Sequence, residues 1–207
     1  MSKLFIRPYD PSRDFDHGLH VFFATIDPGL DYEPARTIGS YLWYKPHVSL
    51  TPSTCFVLDD GTGRVVGYCI GCTDTTTFAQ RWRDEFAPTV DPAKVPRPGE
   101  KCDVEGMEKD DVKGFRHAVY NGECSMLHEW PEVLGRKGYG RKLIEAFFER
   151  VKRNGADGVH LDMVRHNVNA RAFYERIGFQ ICPHVLDRGA SGETGVNGIV
   201  ATLVKTL

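Results

Sequence analysis

The sequence predicts an α/β protein in which a mixed β-sheet is flanked by helices, and three observations carry the prediction. Two apolar runs within residues 54–70 flank the Gly-containing turn 59–63, which is typical of a β-hairpin. Residues 143–151 carry an apolar stripe at helical spacing, and residues 158–164 alternate with period two. With a further strand at 123–130, this order gives a right-handed βαβ unit with a parallel strand pair.

The same patterns predict the remaining elements. They are a strand at 4–7, a helix after Asp14, a second helix at about 33–44, a helix that ends at Gly178, and strands at about 179–186 and 198–204. A chain of 207 residues with 41% hydrophobic composition can fill one sizeable core. We therefore expect a single domain over residues 1–207.

One segment, residues 73–122, departs from this regular alternation. Its periodicity weakens, prolines crowd positions 88–98, and the only predicted helix lies near 78–86, where aromatic side chains recur at helical spacing. We interpret it as an insertion between the third and fourth strands of the sheet. Long irregular segments in compact domains are often functional. The insertion is therefore expected to act either as a lid or as an oligomer contact.

Composition narrows the classes of partner and compartment. A formal net charge of −2 argues against nucleic acid as a partner. No apolar run reaches membrane-spanning length and the start is polar, so we expect a cytoplasmic protein without membrane contact. Six cysteines are scattered, as in a reducing compartment. Cys69 and Cys72 form a CxxC within a strand pattern and lack a second pair, so no metal site is expected.

The run from Gly135 to Lys142 looks suited to a pyrophosphate. Its three glycines, Gly135, Gly138 and Gly140, allow the backbone to approach an anion closely, just where a helix begins. Free amides and the helix dipole attract negative charge at such a position. The neighbouring cations suit a ligand with further phosphates.

The run from Gly135 to Lys142 has two other interpretations. It nearly matches a Walker loop, but Arg141 replaces the lysine and Lys142 replaces the hydroxyl that would bind magnesium, which argues against nucleotide hydrolysis. A glycine-rich turn that only connects a strand to a helix is the second alternative. The tract at 167–174, one strand further on, favours a ligand site.

The stretches Lys137–Gly140 and Asn167–Phe179 together resemble the GNAT superfamily of acetyl-coenzyme A-dependent N-acetyltransferases. That superfamily has Arg or Gln three residues before Gly-x-Gly or Gly-x-Ala on one helix, and Asn-x-x-Ala-x-x-Phe-Tyr-x-x-x-Gly-Phe on the next. The resemblance implies the GNAT fold, a central twisted mixed sheet flanked by helices, over nearly the whole chain. Gly135 departs from the pattern at the Arg or Gln position, where Arg136 or the backbone would take over the phosphate contact.

Within the superfamily, the chain looks most similar to the acetyltransferase-like domain attached to O-GlcNAc hydrolases and to its free-standing microbial relatives. This resemblance rests on residues 136–147, on Gly158–Leu161 and on the insertion with Phe78 and Trp82. The acceptors proposed for such relatives are histone lysines or amino sugars, and some relatives are proposed to have no activity.

The resemblance implies acetyl-coenzyme A as the cofactor, no metal, and a set of cofactor contacts. The pyrophosphate would meet backbone amides near Arg136–Arg141, and Lys142 or Arg171 would meet the ribose phosphate. The thioester oxygen would meet a backbone amide on the strand that carries Leu127. The full set is Leu127, Gly135, Arg136, Lys137, Gly138, Tyr139, Gly140, Arg141, Lys142, Asn167, Ala170 and Phe173.

Tyr174 aligns with the superfamily's general acid, which protonates the departing sulfur; packing in the core is the alternative for this side chain. Several residues at the carboxyl ends of two neighbouring strands compete for the role of general base. The base candidates are His128, Glu129 and Asp162, and the residues expected to contact the acceptor are Trp130, His160 and Asp162.

The acceptor is expected to be a small primary amine, with glucosamine as the first guess from the resemblance. A lysine side chain requires about 4–5 kcal/mol for deprotonation at pH 7, whereas an amine with a pKa near 8 requires about 1 kcal/mol. A small amine therefore demands less of the base. The alternatives are a protein or histone lysine acetyltransferase, and an inactive acetyltransferase-like binding module. A homodimer is expected by analogy with relatives.

Overall fold

The computed structural model describes residues 3–102, 104–122, 138–183 and 200–207. Two compact units are distinguished, Met1–Cys124 and Ser125–Leu207, and each is described by itself. The single domain expected over residues 1–207 stays a prediction.

The first unit contains a three-stranded antiparallel sheet in the order β1-β2-β3, formed by β1 (Phe5–Pro8), β2 (Phe56–Asp59) and β3 (Val65–Cys69). The predicted hairpin is confirmed. Its turn is built around Asp59, whose carboxylate accepts hydrogen bonds from the amides of Gly61 and Gly63 at 2.8 and 3.0 Å. Both glycines have positive φ, a conformation that disfavours other residues.

Helices make up the rest of the first unit. They are α1 (Phe15–Thr25), α2 (Ala35–Trp43), α3 (Lys45–Leu50), α4 (Thr75–Arg81) and α5 (Asp110–Asn121). The helix predicted at 33–44 is shorter than expected, since α2 ends at Trp43 and α3 starts two residues later, with Pro46 in its first turn. Proline is tolerated there because the first amides of a helix have no intrahelical partner.

The predicted insertion contains more regular structure than the sequence suggested. A helix was expected near 78–86, and the structure has α4 followed by a wider π-turn over Trp82–Phe86. The aromatic rings of Phe78, Trp82 and Phe86 pack edge to face with centroids 5.7 and 5.8 Å apart. Helix α5 was not predicted. Its buried positions are Val112, Arg116 and Val119, so a charged residue interrupts the apolar stripe.

Helix α5 anchors the proline-rich stretch that precedes it. The buried Arg116 guanidinium donates hydrogen bonds to the carbonyls of Pro96, Arg97 and Glu100 at 2.9, 2.6 and 3.2 Å. The Tyr120 hydroxyl donates to the carbonyl of Val95 at 2.6 Å. These carbonyls have no backbone donors from a helix or a sheet that the structure describes, so the side chains of Arg116 and Tyr120 satisfy them. These hydrogen bonds hold the proline-rich stretch in one conformation.

The second unit contains an antiparallel sheet in the order β4-β6-β5, formed by β4 (Gly158–Val164), β5 (Gln180–Ile181) and β6 (Val200–Thr206). Its helices are α6 (Tyr139–Arg153) and α7 (Val168–Arg176). Strand pairs within the described residues are all antiparallel. The strand at 123–130, which would provide the parallel pair, lies outside those residues, so the parallel pair stays a prediction.

The two faces of β4 have different surroundings. Helix α6 buries the predicted stripe Leu143, Ile144, Phe147 and Val151. Lys205 of β6 lies opposite Val159 of β4, and its ammonium is 5.8 Å from the ring centroid of Phe148 on α6. Because paired residues share a face, Val159, Leu161 and Met163 are on the side turned toward α6. His160 and Asp162 are on the opposite side.

Candidate active site

The first feature of the site is the start of helix α6. Gly138 precedes the helix with φ 75° and ψ 2°, the left-handed conformation that favours glycine. A Cβ at this position would meet no atom of the described residues within 4 Å. No side chain of the described residues caps this end, and its first turn holds no acidic residue. The first four amides of a helix lack intrahelical partners, so this end can hold an anion.

The structure brings the two halves of the sequence motif together. A Cβ on Gly140 would lie 3.5 Å from the Cζ of Phe173, so the first turn of α6 lies against the aromatic stripe of α7. At the start of α7, the Asn167 Oδ1 accepts a hydrogen bond from the amide of Ala170 at 2.9 Å. This is the helix cap expected from the sequence. The cofactor contacts of Asn167, Ala170 and Phe173 stay predictions.

The cations of α6 and α7 that were predicted to meet phosphates contact side chains of their own helices. Arg141 pairs with Glu145 at 2.7 Å, and Arg171 pairs with Glu175 at 2.8 Å, each four residues along an exposed helix face. Such ion pairs contribute about 0.3–0.5 kcal/mol to stability, so breaking one to bind a phosphate costs little free energy. The exposed Lys142 has its ammonium 5.4 Å from the Tyr139 ring centroid.

Tyr174, the predicted general acid, is buried, with 1% of its surface exposed. Its ring packs edge to face on Phe173 and Phe179, with centroids 5.4 and 5.5 Å away. The ring therefore has the packing role that the sequence offered as an alternative. The two roles are compatible, because packing fixes the ring while catalysis would use the hydroxyl, and the catalytic role stays a prediction.

Asp162 and His160 lie two residues apart on one face of β4, as the alternation predicted. The Thr202 hydroxyl of β6 donates a hydrogen bond to Asp162 Oδ1 at 2.6 Å. Thr202 faces Asp162 directly in the strand register and is 3% exposed. The sequence analysis did not identify Thr202. Only the register between β4 and β6 shows the pairing, and the hydrophobic pattern does not fix that register.

The other predicted site residues lie outside the described residues. They are Leu127, His128, Glu129, Trp130, Gly135, Arg136 and Lys137. Their roles in binding and catalysis stay predictions.

Burial raises the thiol pKa of cysteines in the first unit. Burial raises the pKa of Cys55 to about 12 and that of Cys72 to about 11, so both side chains are neutral thiols at pH 7.

Within the parts of the chain that the structure describes, no three His, Cys, Asp or Glu side chains are grouped to hold a metal ion. The same parts contain no helix that is long and apolar enough to cross a membrane.

Comparison with known proteins supports the interpretation of this region. Residues 134–179 match the model of the acetyltransferase (GNAT) family. The match spans the start of α6, strand β4 and helix α7, which are the elements that carry the described part of the candidate site.

Solved structures resemble the chain over its whole length. SsHAT is 27% identical with a TM-score of 0.75, covering 99% of this chain and 98% of that one. An agmatine N-acetyltransferase is 15% identical with a TM-score of 0.51, covering 99% of each chain. A Drosophila melanogaster polyamine N-acetyltransferase that forms N-acetylagmatine is 16% identical with a TM-score of 0.50, covering 99% of this chain and 100% of that one.

The chain therefore has the GNAT fold, and the predicted fold class is confirmed. The family match over the candidate site and the structural neighbours support an N-acetyltransferase enzyme. Members of this family use acetyl-coenzyme A.

Proposed function

We propose that the protein transfers an acetyl group from acetyl-coenzyme A to the primary amine of a small molecule, with glucosamine as the first acceptor to test. One observation carries the proposal. The glycine-initiated end of α6 lies against Phe173 of α7, within the segment that matches the acetyltransferase family. The amides of that end would hold the pyrophosphate, with Lys142 or Arg171 toward the ribose phosphate.

The described residues supply a base and an acid for the transfer. When bound, acetyl-coenzyme A supplies the thioester carbonyl that the acceptor nitrogen attacks, so that a C–N bond forms and the C–S bond breaks. Asp162, held by Thr202, would take the proton that the nitrogen loses. Tyr174 would donate a proton to the departing sulfur. Glu129 and His128 remain alternative bases.

The nature of the acceptor follows from the energetics of deprotonation and from the resemblances. An amine with a pKa near 8 requires about 1 kcal/mol to lose its proton at pH 7, which a single carboxylate can support. The sequence resemblance to the acetyltransferase-like domain of O-GlcNAc hydrolases makes an amino sugar the first acceptor to test, with histone lysines as an alternative. The fold is shared with an agmatine and a polyamine N-acetyltransferase, which makes aliphatic polyamines a second class of acceptor.

A thiol-release assay with acetyl-coenzyme A tests the proposal across three groups of acceptor: amino sugars, polyamines including agmatine, and histone peptides. Release with a small amine supports it, and amino sugars are expected to react fastest. Release with peptides alone would overturn the small-amine acceptor. An absence of release with every acceptor, together with cofactor binding, would favour an acetyltransferase-like binding module.

Two further features belong to the same proposal. We expect a homodimer and a cytoplasmic location, as inferred from the sequence. Light scattering of the purified chain tests the dimer, since a monomeric mass at micromolar concentration would contradict it.

A further inference from the structure

The face of the second sheet that lies away from α6 extends across all three strands. Gln180 of the edge strand β5 pairs with Val204 of β6, and Val204 pairs with His160 of β4. Directly opposite residues share a face, so these three side chains form one row, which we call the outer row. Neighbouring strands are about 4.8 Å apart, so the Cα atoms of His160 and Gln180 lie about 10 Å apart on either side of Val204.

A second row on the same face, the inner row, lies beside the outer row. Thr202 of β6 faces Asp162 of β4, and the Thr202 carbonyl accepts a hydrogen bond from the amide of Cys182 at 2.8 Å. Cys182 follows β5 in the same register, so its side chain lies beside that of Thr202. The inner row therefore contains Asp162, the base proposed above.

The two rows differ in exposure. His160 and Gln180, at the two ends of the outer row, are exposed, and within the part of the chain that the structure describes neither side chain forms a hydrogen bond. Asp162 in the inner row is partly buried, and Thr202 beside it is 3% exposed. A ligand can therefore reach the outer row from solvent and find the carboxylate of Asp162 next to it, on the more buried side.

The chemistry of the two rows indicates a class of ligand. The imidazole of His160 and the carboxamide of Gln180 both form hydrogen bonds, and Val204 between them offers an apolar surface. Asp162 is the only acidic side chain among the six residues of the rows. These groups match a molecule with one amine, several hydroxyls and a carbon skeleton that packs on Val204. A second ammonium, as in a polyamine, would meet no other carboxylate among these six side chains.

We propose that Gln180 is a specificity-determining residue that, together with His160, binds hydroxyl groups of the acceptor. The acceptor class is then a hydroxylated monoamine, such as an amino sugar, in preference to a polyamine. This inference rests on the proposed function, because it takes Asp162 as the base that receives the proton of the acceptor amine. The sequence analysis did not single out Gln180, since only the strand register places it on the face of Asp162.

Thiol-release kinetics with glucosamine and with agmatine, which carries a guanidinium as well as an amine, test this assignment. Gln180→Ala should raise the KM for glucosamine about fivefold, the usual effect of losing one hydrogen bond, and leave that for agmatine within about twofold. The kcat with glucosamine should stay within about threefold, since Gln180 is not expected to contact a reacting atom. Gln180→Glu should raise kcat/KM for agmatine about threefold, because the new carboxylate attracts the guanidinium.

The other glutamine of the chain provides a matched control. Gln80 is exposed on α4 of the first unit, so Gln80→Glu adds the same charge to the same kind of side chain. It should leave the KM for each acceptor unchanged. Unchanged KM values in both Gln180 variants, or equal changes for glucosamine and agmatine, would overturn the proposal. Equal effects of Gln80→Glu and Gln180→Glu would also overturn it, because they would indicate a general effect of charge.

Cys182 in the inner row supplies a readout that requires no turnover. With coenzyme A present, glucosamine at about twice its Kd should slow the alkylation of Cys182 by iodoacetamide about threefold, and the same concentration should protect Gln180→Ala less. Mass spectrometry of the peptide that contains Cys182 measures the rate. Protection that depends on Gln180, without thiol release from any acceptor, would contradict the proposed function and support the binding assignment. Thiol release without protection, and with a KM that does not depend on Gln180, would support the proposed function and overturn the assignment.

Discussion

Thr202 donates a hydrogen bond to the carboxylate of Asp162 across the register pair that joins β6 to β4, with 2.6 Å between the two oxygens. The hydroxyl is almost fully buried and lies on the sheet face opposite the one that α6 covers. A donor held in this way fixes the orientation of the carboxylate and stabilises its charged form. Thr202 is thus a positioning residue for the base proposed here.

Replacing Thr202 with Val removes the donor while preserving the shape of the side chain. The acetyl-transfer rate kcat should fall about tenfold, because the carboxylate loses the hydroxyl donor that helps to fix its orientation. The unfolding free energy should fall by about 1.5–3 kcal/mol, the usual worth of a hydrogen bond to a charged group. Thr202→Ser retains the hydroxyl and should keep kcat within about threefold. A Val variant with unchanged kcat would contradict the positioning role of Thr202.

Tyr174→Phe separates the two roles of the buried tyrosine. The ring contacts with Phe173 and Phe179 are preserved, so the fold should be retained. Loss of the hydroxyl should lower kcat about 10²-fold or more, within the range of general acid catalysis, and change the Kd for acetyl-coenzyme A by less than about threefold. Stopped-flow or steady-state thiol release measures kcat, and calorimetry measures the Kd. Unchanged turnover would show that the tyrosine only packs.

The sequence predicted those elements whose structure is determined by residues within the element itself. The hairpin follows from Asp59 and two glycines in its turn, and α6 follows from a clean apolar stripe. Helix α5 was missed because Arg116 occupies a core-facing position, where its charge is satisfied by carbonyls from a distant loop. The link between Thr202 and Asp162 was missed because it depends on strand register, which local patterns do not encode.

A buried ion cluster in the first unit should make stability depend on pH. Arg7 donates hydrogen bonds to Asp59 Oδ2 at 2.9 Å and to both carboxylate oxygens of Asp14 at 2.6 and 2.8 Å. Burial by itself raises the pKa of Asp59, but the hydrogen bonds from Arg7 and from the amides of Gly61 and Gly63 outweigh it, so this pKa is lowered.

Because the folded pKa of Asp59 is depressed, its contribution to stability is present above the unfolded pKa of about 3.9 and is lost as the pH falls through the folded value. Asp59→Asn should therefore lower the unfolding free energy by about 2 kcal/mol at pH 7. The difference from the parent chain should shrink as the pH falls below about 3.9. Urea titrations at pH 7 and at successively lower pH values measure this. Asp60→Asn, on the exposed part of the same turn, should have an effect within about 0.5 kcal/mol.

Arg116 should be essential for the order of the proline-rich stretch. Arg116→Ala removes hydrogen bonds to three carbonyls, of which only that of Arg97 keeps a second donor, the Glu100 amide, so the first unit should lose about 3 kcal/mol or more. Tyr120→Phe removes only the bond to Val95 and should cost about 0.5–1.5 kcal/mol. Denaturant unfolding gives both values, and limited proteolysis should show faster cleavage within residues 87–102 in the Ala variant. Equal stability of the two variants would contradict the anchoring role.

Glycine conformation at the start of α6 provides a direct test of the cofactor site, with a matched control at the other end of the helix. Gly138 and Gly155 have φ values of 75° and 95°, and among the residues that the structure describes a Cβ at either position would meet nothing within 4 Å. Replacement of either with Ala should cost a similar backbone strain of about 1–2 kcal/mol. Only position 138 lies beside the amides proposed to hold the pyrophosphate.

Calorimetric titration of acetyl-coenzyme A into the parent chain, Gly138→Ala and Gly155→Ala is therefore the decisive measurement. The account predicts saturable binding to the parent chain, a Kd at least about tenfold weaker for Gly138→Ala, equivalent to about 1.4 kcal/mol, and an unchanged Kd for Gly155→Ala. No binding to the parent chain at millimolar ligand, or equal affinities for the two Ala variants, would contradict a pyrophosphate site at the start of α6.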